Sequence, residues 1–260
     1  MPGKVTAPVL RSMKAKGEKI AVITAYDYSS ALLADAAGVD AILVGDSLGN
    51  VVLGYDTTVP VSLEDMERHV AAVSRGTSRA HVIGDLPFGS YQESVSQAVA
   101  SSVRLMKAGA QSVKLEGAYT EAVEAIVRAG IPVCGHVGFT PQSVHAFGGF
   151  RVQGRENGDA VLDAALALEQ AGVYAIVLEL IPAALAESIT ARLSIPTIGI
   201  GAGPVCDGQV QVFHDLLGLT SGHFKHAKRY VEAGSILQEA IERYSEEVKN
   251  GSFPTSENSF

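Results

Sequence analysis

Short apolar runs suited to β-strands recur along this chain with helical stretches between them, and that alternation constrains the fold most. The runs are Ile20–Tyr26, Ala41–Ser47, His81–Pro87, Ser112–Gly117, Pro132–Gly138, Ala175–Ile181, Pro196–Gly201 and Gln209–Leu216. Apolar runs bounded by Gly and Pro suit parallel strands covered on both faces. The helical segments Ser30–Gly38, Ser62–Gly76, Glu93–Gly109, Thr120–Gly130 and Asp159–Gly172 each end in glycine, the usual C-terminal cap. Ser62 with Asp65, and Thr120 with Glu121, read as N-terminal signals. Eight such units predict an α/β fold of the (β/α)8 TIM-barrel type, because right-handed crossovers carry the sheet round and closure removes both edges. Too few residues separate the seventh and eighth runs for a full helix. An open doubly wound sheet is the alternative architecture.

Pro8–Lys16 predicts an extra N-terminal helix at one barrel end, and Ser235–Lys249 the closing helix. The tail Gly251–Phe260 reads as frayed or docked in an oligomer. No Pro/Ser linker or composition shift divides residues 1–260, which predicts a single domain. The 27 glycines follow no G-X-Y period and prolines number only 10, excluding collagen and low-complexity disorder. A formal charge of −8 with no basic tract argues against nucleic acid or an anionic membrane as partner, though not against a small anion on one buried cation. The longest apolar stretch, around Val173–Ala186, is broken by Glu179 and Pro182 and is unsuited to a bilayer. Met1–Lys19 lacks the pattern of a secretory signal. Cys134 and Cys206 form neither a disulfide framework nor a CxxC pair, which points to the cytosol.

Barrel enzymes keep their reacting groups at the C-terminal strand ends, and here those ends are polar. The second run ends in Asp46 and Ser47, and the third reaches Asp85. The fourth carries Lys114 and Glu116, the fifth His136 and the sixth Glu179. Period-two alternation puts Lys114 and Glu116 on one face, and pairs Val44 with Asp46, Ile83 with Asp85, Cys134 with His136 and Val177 with Glu179. A single Asp at a strand end is usually a loop cap. Four carboxylates and a lysine at corresponding positions point instead to a shared site, costly unless a cation or proton sits among them. Hard oxygen donors without a His/Cys metal pattern favour Mg²⁺ over Zn²⁺. Glu179, between apolar neighbours, suits a proton-transfer group raised by desolvation, or else pairs with a nearby cation. Lys114 either pairs with Glu116 or holds an anionic substrate, and a metal-bound acid opposite favours the second.

Several motifs compete with this reading. Gly45-Asp46-Ser47-Leu48-Gly49 matches the nucleophile elbow, with Glu179 and His214 or His223 in hydrolase order, but a long loop is expected where that elbow needs a helix. Gly199–Gly203 reads as close backbone packing rather than a phosphate cradle. His223 and His226 read as a solvated face, His69 as structural, and His81 lies at the opposite end of the barrel. Cys134 reads as a small core residue. The long loops Leu48–Val61 and Phe139–Asn157 are candidate lids, the second carrying Thr140-Pro141-Gln142-Ser143 and Gly148-Gly149-Phe150-Arg151.

These motifs together are recognisable. Ile23-Thr-Ala-Tyr-Asp27, Gly45-Asp-Ser-Leu-Gly49, Gly54-Tyr-Asp-Thr-Thr58, Asp85-Leu-Pro-Phe-Gly-Ser-Tyr91 and Val113-Lys-Leu-Glu-Gly117 occur in order. Gly135-His-Val-Gly-Phe-Thr-Pro-Gln-Ser143, Phe147-Gly-Gly-Phe-Arg-Val-Gln-Gly-Arg155, Glu179-Leu-Ile-Pro182 and Gly199-Ile-Gly-Ala-Gly203 follow. The chain resembles the ketopantoate hydroxymethyltransferase family over nearly its whole length. The resemblance implies a Mg²⁺-dependent barrel of the phosphoenolpyruvate/pyruvate superfamily that moves a one-carbon unit from 5,10-methylenetetrahydrofolate to 3-methyl-2-oxobutanoate. The product is 2-dehydropantoate, on the route to pantothenate. It further implies that Asp46, Asp85 and, through water, Glu116 hold the metal. By the same likeness Asp46, Ser47, Asp85 and Lys114 contact the keto acid, His136 borders the pocket, and Glu179 accepts the proton.

A 2-oxo acid chelates Mg²⁺, which stabilises the enolate formed when the C3 proton leaves. The likeness implies a large homo-oligomer, a decamer. His145, on the second long loop, departs from a family pattern in which Asn is more usual. A carbon–carbon lyase or mutase of the same superfamily is the alternative, but those relatives carry a cysteine on a mobile loop beside the metal. Neither Cys134 nor Cys206 is so placed.

Overall fold

The computed structural model describes residues 3–222 and 224–260. They divide into two compact units, one up to Val212 and one from Phe213 onward. In the first unit eight parallel strands close in sequence order: β1 (Ile20–Thr24), β2 (Ala41–Val44), β3 (His81–Asp85), β4 (Ser112–Lys114), β5 (Val133–Gly138), β6 (Ala175–Glu179), β7 (Thr197–Ile200) and β8 (Gly208–Gln211). Strand β1 pairs with β8 from Ile20↔Gly208 to Ile23↔Gln211, so the (β/α)8 barrel is closed and the open sheet is excluded. As expected, β7 and β8 are joined without a helix. The final run is shorter than expected, because the strand ends at Gln211 and Phe213–Leu216 forms a helical turn in the second unit.

Helices α1 (Ala7–Lys16), α2 (Tyr28–Ala36), α3 (Leu48–Val51), α4 (Leu63–Gly76), α5 (Val95–Ala108), α6 (Thr120–Arg128), α7 (Val144–Phe147), α8 (Gly158–Ala171) and α9 (Ala183–Arg192) complete this unit. Alternation divides its core into two layers. Ile42, Val44, Val82, Val113, Val133, Ile176 and Leu178 face outward and pack with helix residues such as Met66, Val70, Leu105 and Ile126. Ile20, Val22, Ala41, Leu43, Ile83, Cys134, Val177, Ile198 and Val210 fill the interior, joined by Val5, Ala7 and Leu10. The expected N-terminal helix therefore closes the N-terminal end of the barrel, anchored by Lys14 on Asp207 at 2.9 Å.

Two helix-end signals act differently from their sequence pattern. Ser62 and Asp65 form a reciprocal capping box, but Thr120 is already helical and Tyr119 occupies the cap without a side-chain bond. Gly76 is the last helical residue of α4 rather than its cap. A Cβ there would lie 2.6 Å from the Tyr28 carbonyl, so glycine permits close packing on α2. In the second unit α10 (Phe213–Leu216) is followed by α11 (Ala233–Asn250), which covers the expected Ser235–Lys249. The tail forms a 3-10 turn over Ser256–Asn258, closed by a Thr255/Asn258 capping box. No helix among the described residues is long and apolar enough to cross a membrane.

Candidate active site

Asp46, Asp85, Lys114, Glu116 and His136 are all buried and converge at the C-terminal end of the barrel. Lys114 donates to both oxygens of Asp85 at 2.7 Å and lies 3.6 Å from Glu116 Oε1. Its main partner is thus Asp85, and the expected pairing with Glu116 is present as the longer of the two contacts. His136 stands between two acids, with Nδ1 3.6 Å from Glu116 Oε1 and Nε2 3.3 Å from Glu179 Oε2. Neither approach is a well-aligned hydrogen bond.

Asp46 arrives by a different route from the one alternation gives. Val44 faces the outer helices, so continuing the strand would send Asp46 outward as well. Instead β2 stops at Val44, and a turn carries the Asp46 N–H to 3.3 Å from Asp85 Oδ2. Gln142 Nε2 then donates to Asp46 Oδ2 at 2.9 Å. The turn leads straight into α3, so a helix does follow Ser47, contrary to the expected loop. The elbow reading fails on chemistry: the Ser47 hydroxyl is 2.8 Å from the Tyr26 phenol, a partner that does not serve as a neutral-pH base.

Glu179 ends β6 and is 16% exposed at its side chain, less desolvated than its apolar neighbours suggested. The next residue, Leu180, has a φ of +45°, the only positive value at a non-glycine among the described residues. Such strain persists where surrounding contacts over-determine the backbone. Here the Leu180 N–H donates to the Ile200 carbonyl, and its carbonyl accepts from the Gln153 N–H, both at 2.9 Å.

Electrostatics follow from burying like charges together. Burial, then the charges of Asp85 and Glu116, push the Asp46 carboxyl well above the usual carboxylate range. Burial likewise raises Asp85, against the pull of Lys114. Burial opposes charge on Glu116 too, yet Lys114 and then His136 hold it below its ordinary value. Lys114 is kept charged: burial works against it, but Asp85, Glu116 and Asp46 raise it. Burial also works against charge on His136, and Glu116 and Glu179 outweigh it, raising the imidazole to about 9.

Among the described residues no group of three or more His, Cys, Asp or Glu side chains is arranged, as it stands, to hold a metal ion. The donor set still suits a hard divalent cation. Asp46, Asp85, Glu116 and Glu179 outnumber the positive charges of Lys114 and His136, and Mg²⁺ needs few protein ligands when waters and a chelating substrate supply the rest.

Residues expected elsewhere are also accounted for. His81 is buried at the start of β3, with Nε2 2.9 Å from Ser112 Oγ. His69 is tied to the Tyr26 carbonyl. Cys134 is a buried interior residue whose thiol burial pushes up to about 12, and Cys206 is buried before β8. A Cβ on Gly199 would lie 3.0 Å from Cys206 Sγ, the expected close packing. His223 lies outside the described residues. Two site residues were not singled out from the sequence, Gln142 and Tyr91. Both lie in the matched motifs, and buried acids require donors, which is the signal that marks them.

Comparison with known proteins identifies the family. The family model for ketopantoate hydroxymethyltransferase matches residues 4–256. A 3-methyl-2-oxobutanoate hydroxymethyltransferase from Moorella thermoacetica is 56% identical over 99% of this chain and 98% of its own. One from Chloroflexus aurantiacus is 55% identical over 98% and 92%. Among solved structures, a phosphonopyruvate hydrolase superposes with a TM-score of 0.66 over 98% of this chain and 91% of that one, at 13% identity, a likeness of fold alone.

Proposed function

This chain belongs to the ketopantoate hydroxymethyltransferase family, and from that premise we infer that Glu179 is the base and Asp46, Asp85 and Glu116 the metal-holding acids of its reaction. The reaction itself is hydroxymethyl transfer to 3-methyl-2-oxobutanoate, a step in pantothenate biosynthesis. The observation that carries the residue assignment is the excess of acids over cations at one barrel mouth, with Glu179 the acid left partly open.

Asp46 and Asp85 would hold the metal, with Ser47, Lys114 and His136 bordering the keto acid along with them. Mg²⁺ bound there supplies Lewis-acid stabilisation of the charge developing on the keto oxygen. The buried Lys114 ammonium offsets charge on the substrate side and keeps Asp85 oriented. Glu179 removes the C3 proton. One water cleaves the two C–N bonds that hold the methylene of 5,10-methylenetetrahydrofolate, releasing tetrahydrofolate with both nitrogens protonated. The electron pair left on C3 bonds to that carbon, whose oxygen, taken from the water, accepts the proton back to give the hydroxymethyl group. Protonated His136, 3.3 Å from Glu179, orients that carboxylate by charge. The long loop Phe139–Asn157 brings Gln142 onto Glu116 and Asp46 at the mouth. A homo-oligomeric enzyme in the cytosol completes the reading.

The test is mass-spectrometric detection of 2-dehydropantoate from 3-methyl-2-oxobutanoate and 5,10-methylenetetrahydrofolate, with Mg²⁺ and with EDTA. Product that appears with Mg²⁺ and vanishes with EDTA is expected. Product undiminished by EDTA would remove the metal from the mechanism.

A further inference from the structure

Gln142 sits on a 3-10 turn, Pro141–Ser143, near the start of the second long loop, and is buried. Its backbone N–H donates to Glu116 Oε2 at 2.9 Å. Its side-chain Nε2 donates to Asp46 Oδ2 and to the Leu86 carbonyl, each at 2.9 Å. Its Oε1 accepts from the Tyr91 hydroxyl at 2.7 Å and from Gln92 Nε2 at 3.2 Å. The same Tyr91 oxygen accepts from the Glu116 N–H at 3.1 Å.

This network demands an amide. Reversed, the amide oxygen would face a carboxylate and a carbonyl, and its NH₂ would face that of Gln92. A glutamate carboxylate would put a further acid against Asp46, and an apolar side chain would leave the Tyr91 hydroxyl and Leu86 carbonyl without this partner. One residue thus reaches two acids on different strand ends, using its backbone for one and its side chain for the other.

We propose that Gln142, held by Tyr91, is a positioning residue that sets Asp46 and Glu116 for the cation, so that ordering of the second long loop and assembly of the cation site are one event. The proposal rests on the reading of Asp46, Asp85 and Glu116 as metal-holding acids. Gln142 touches the acids and acts through them. Its loss should therefore appear in affinity for Mg²⁺ alone, before any substrate is added.

The experiment is calorimetric titration of MgCl₂ into the full chain and its Asp85→Asn, Gln142→Met, Tyr91→Phe and Tyr91→Phe/Gln142→Met variants, each checked for unaltered melting without metal. Asp85→Asn loses binding. Gln142→Met weakens it about tenfold, the size of a lost charge-assisted hydrogen bond. Tyr91→Phe weakens it less, and the double variant is weaker than Gln142→Met by less than the Tyr91→Phe factor alone. Tyr91 acts partly by holding Gln142 and partly through its own bond from the Glu116 N–H. In turnover, the Mg²⁺ concentration for half-maximal rate rises by a larger factor than kcat falls. Gln142→Met titrating like the parent, while Asp85→Asn has lost binding, overturns the proposal and leaves the metal-holding acids in place. Parent and Asp85→Asn titrating alike removes that assignment and the proposal with it. If Gln142→Met does not fold, Tyr91→Phe alone decides, and unchanged affinity there overturns the coupling.

Discussion

Gly138 and Glu179 are register partners on β5 and β6, and Gly138 adopts a φ of +97°. A Cβ added there would lie 2.3 Å from the Glu179 carbonyl oxygen and 2.7 Å from Ile181 Cγ2. Neither contact is the far end of a flexible side chain, so relief requires the two strands to part. Gly138→Ala is expected to cost about 3 kcal/mol, from backbone strain and the clash together. It should also lower kcat, because the residue displaced is Glu179, the proposed base. Urea denaturation and steady-state kinetics check both, and an unchanged midpoint would remove this packing constraint.

Glu179→Gln keeps the shape of the side chain and removes its capacity to take a proton. Deuterium exchange at C3 of 3-methyl-2-oxobutanoate, followed by NMR without folate, isolates that step from transfer. Exchange should slow by about 10²- to 10⁴-fold, the usual contribution of a positioned general base. Binding of the keto acid, measured by calorimetry, should persist. Near-normal exchange would falsify the assignment of Glu179.

The closed barrel was legible because its strands are apolar runs between glycines and prolines, and register alone then placed Ile83 with Asp85 and Val177 with Glu179 in the interior. Asp46 was found for an incorrect reason. Alternation from Val44 would aim it outward, and only the early end of β2 at Val44 turns it back. A turn at a strand end has no periodic signature, which also hid the helix directly after Ser47. Gln142 and Tyr91 escaped because neutral residues in loops show no charge or period. Their importance appears only when the loop is seen to fold its amide over Asp46.

Lys114 is the buried ammonium shared by Asp85 and, more distantly, Glu116. Lys114→Met leaves those acids without it, and breaking one side of a buried pair costs about 3–5 kcal/mol. Burial already raises Asp85, and loss of the ammonium raises it further. A carboxyl raised in the folded state contributes stability below its unfolded value of about 3.9, and loses it as pH rises through the folded value. The variant should therefore recover stability as pH is lowered from about 7 to about 5, in the range where raised carboxyls take up protons. Denaturant midpoints across that range test the sign, and a variant whose midpoint fails to rise would show that the acids are already relieved by other means.

His81 gives the opposite dependence at the other end of the barrel. Its ring is buried against Ser112 and packs edge-on to Tyr174, so burial, with a smaller contribution from the Lys4 charge, lowers its pKa to about 4. Above the unfolded value of about 6.5 the ring is neutral in both states and full stability is present. As pH falls below that value the unfolded chain takes up a proton that the folded chain refuses, and stability is lost until the folded value near 4 is reached. The interval corresponds to roughly 3 kcal/mol. His81→Gln removes this titration, so the parent should lose more stability than the variant between about pH 6.5 and about pH 4. Urea midpoints for both proteins at closely spaced pH values measure the difference directly. Parallel curves over that window would mean that the folded protein accepts the proton at His81 by opening the base of the barrel, where Val5 and Leu10 now seal it.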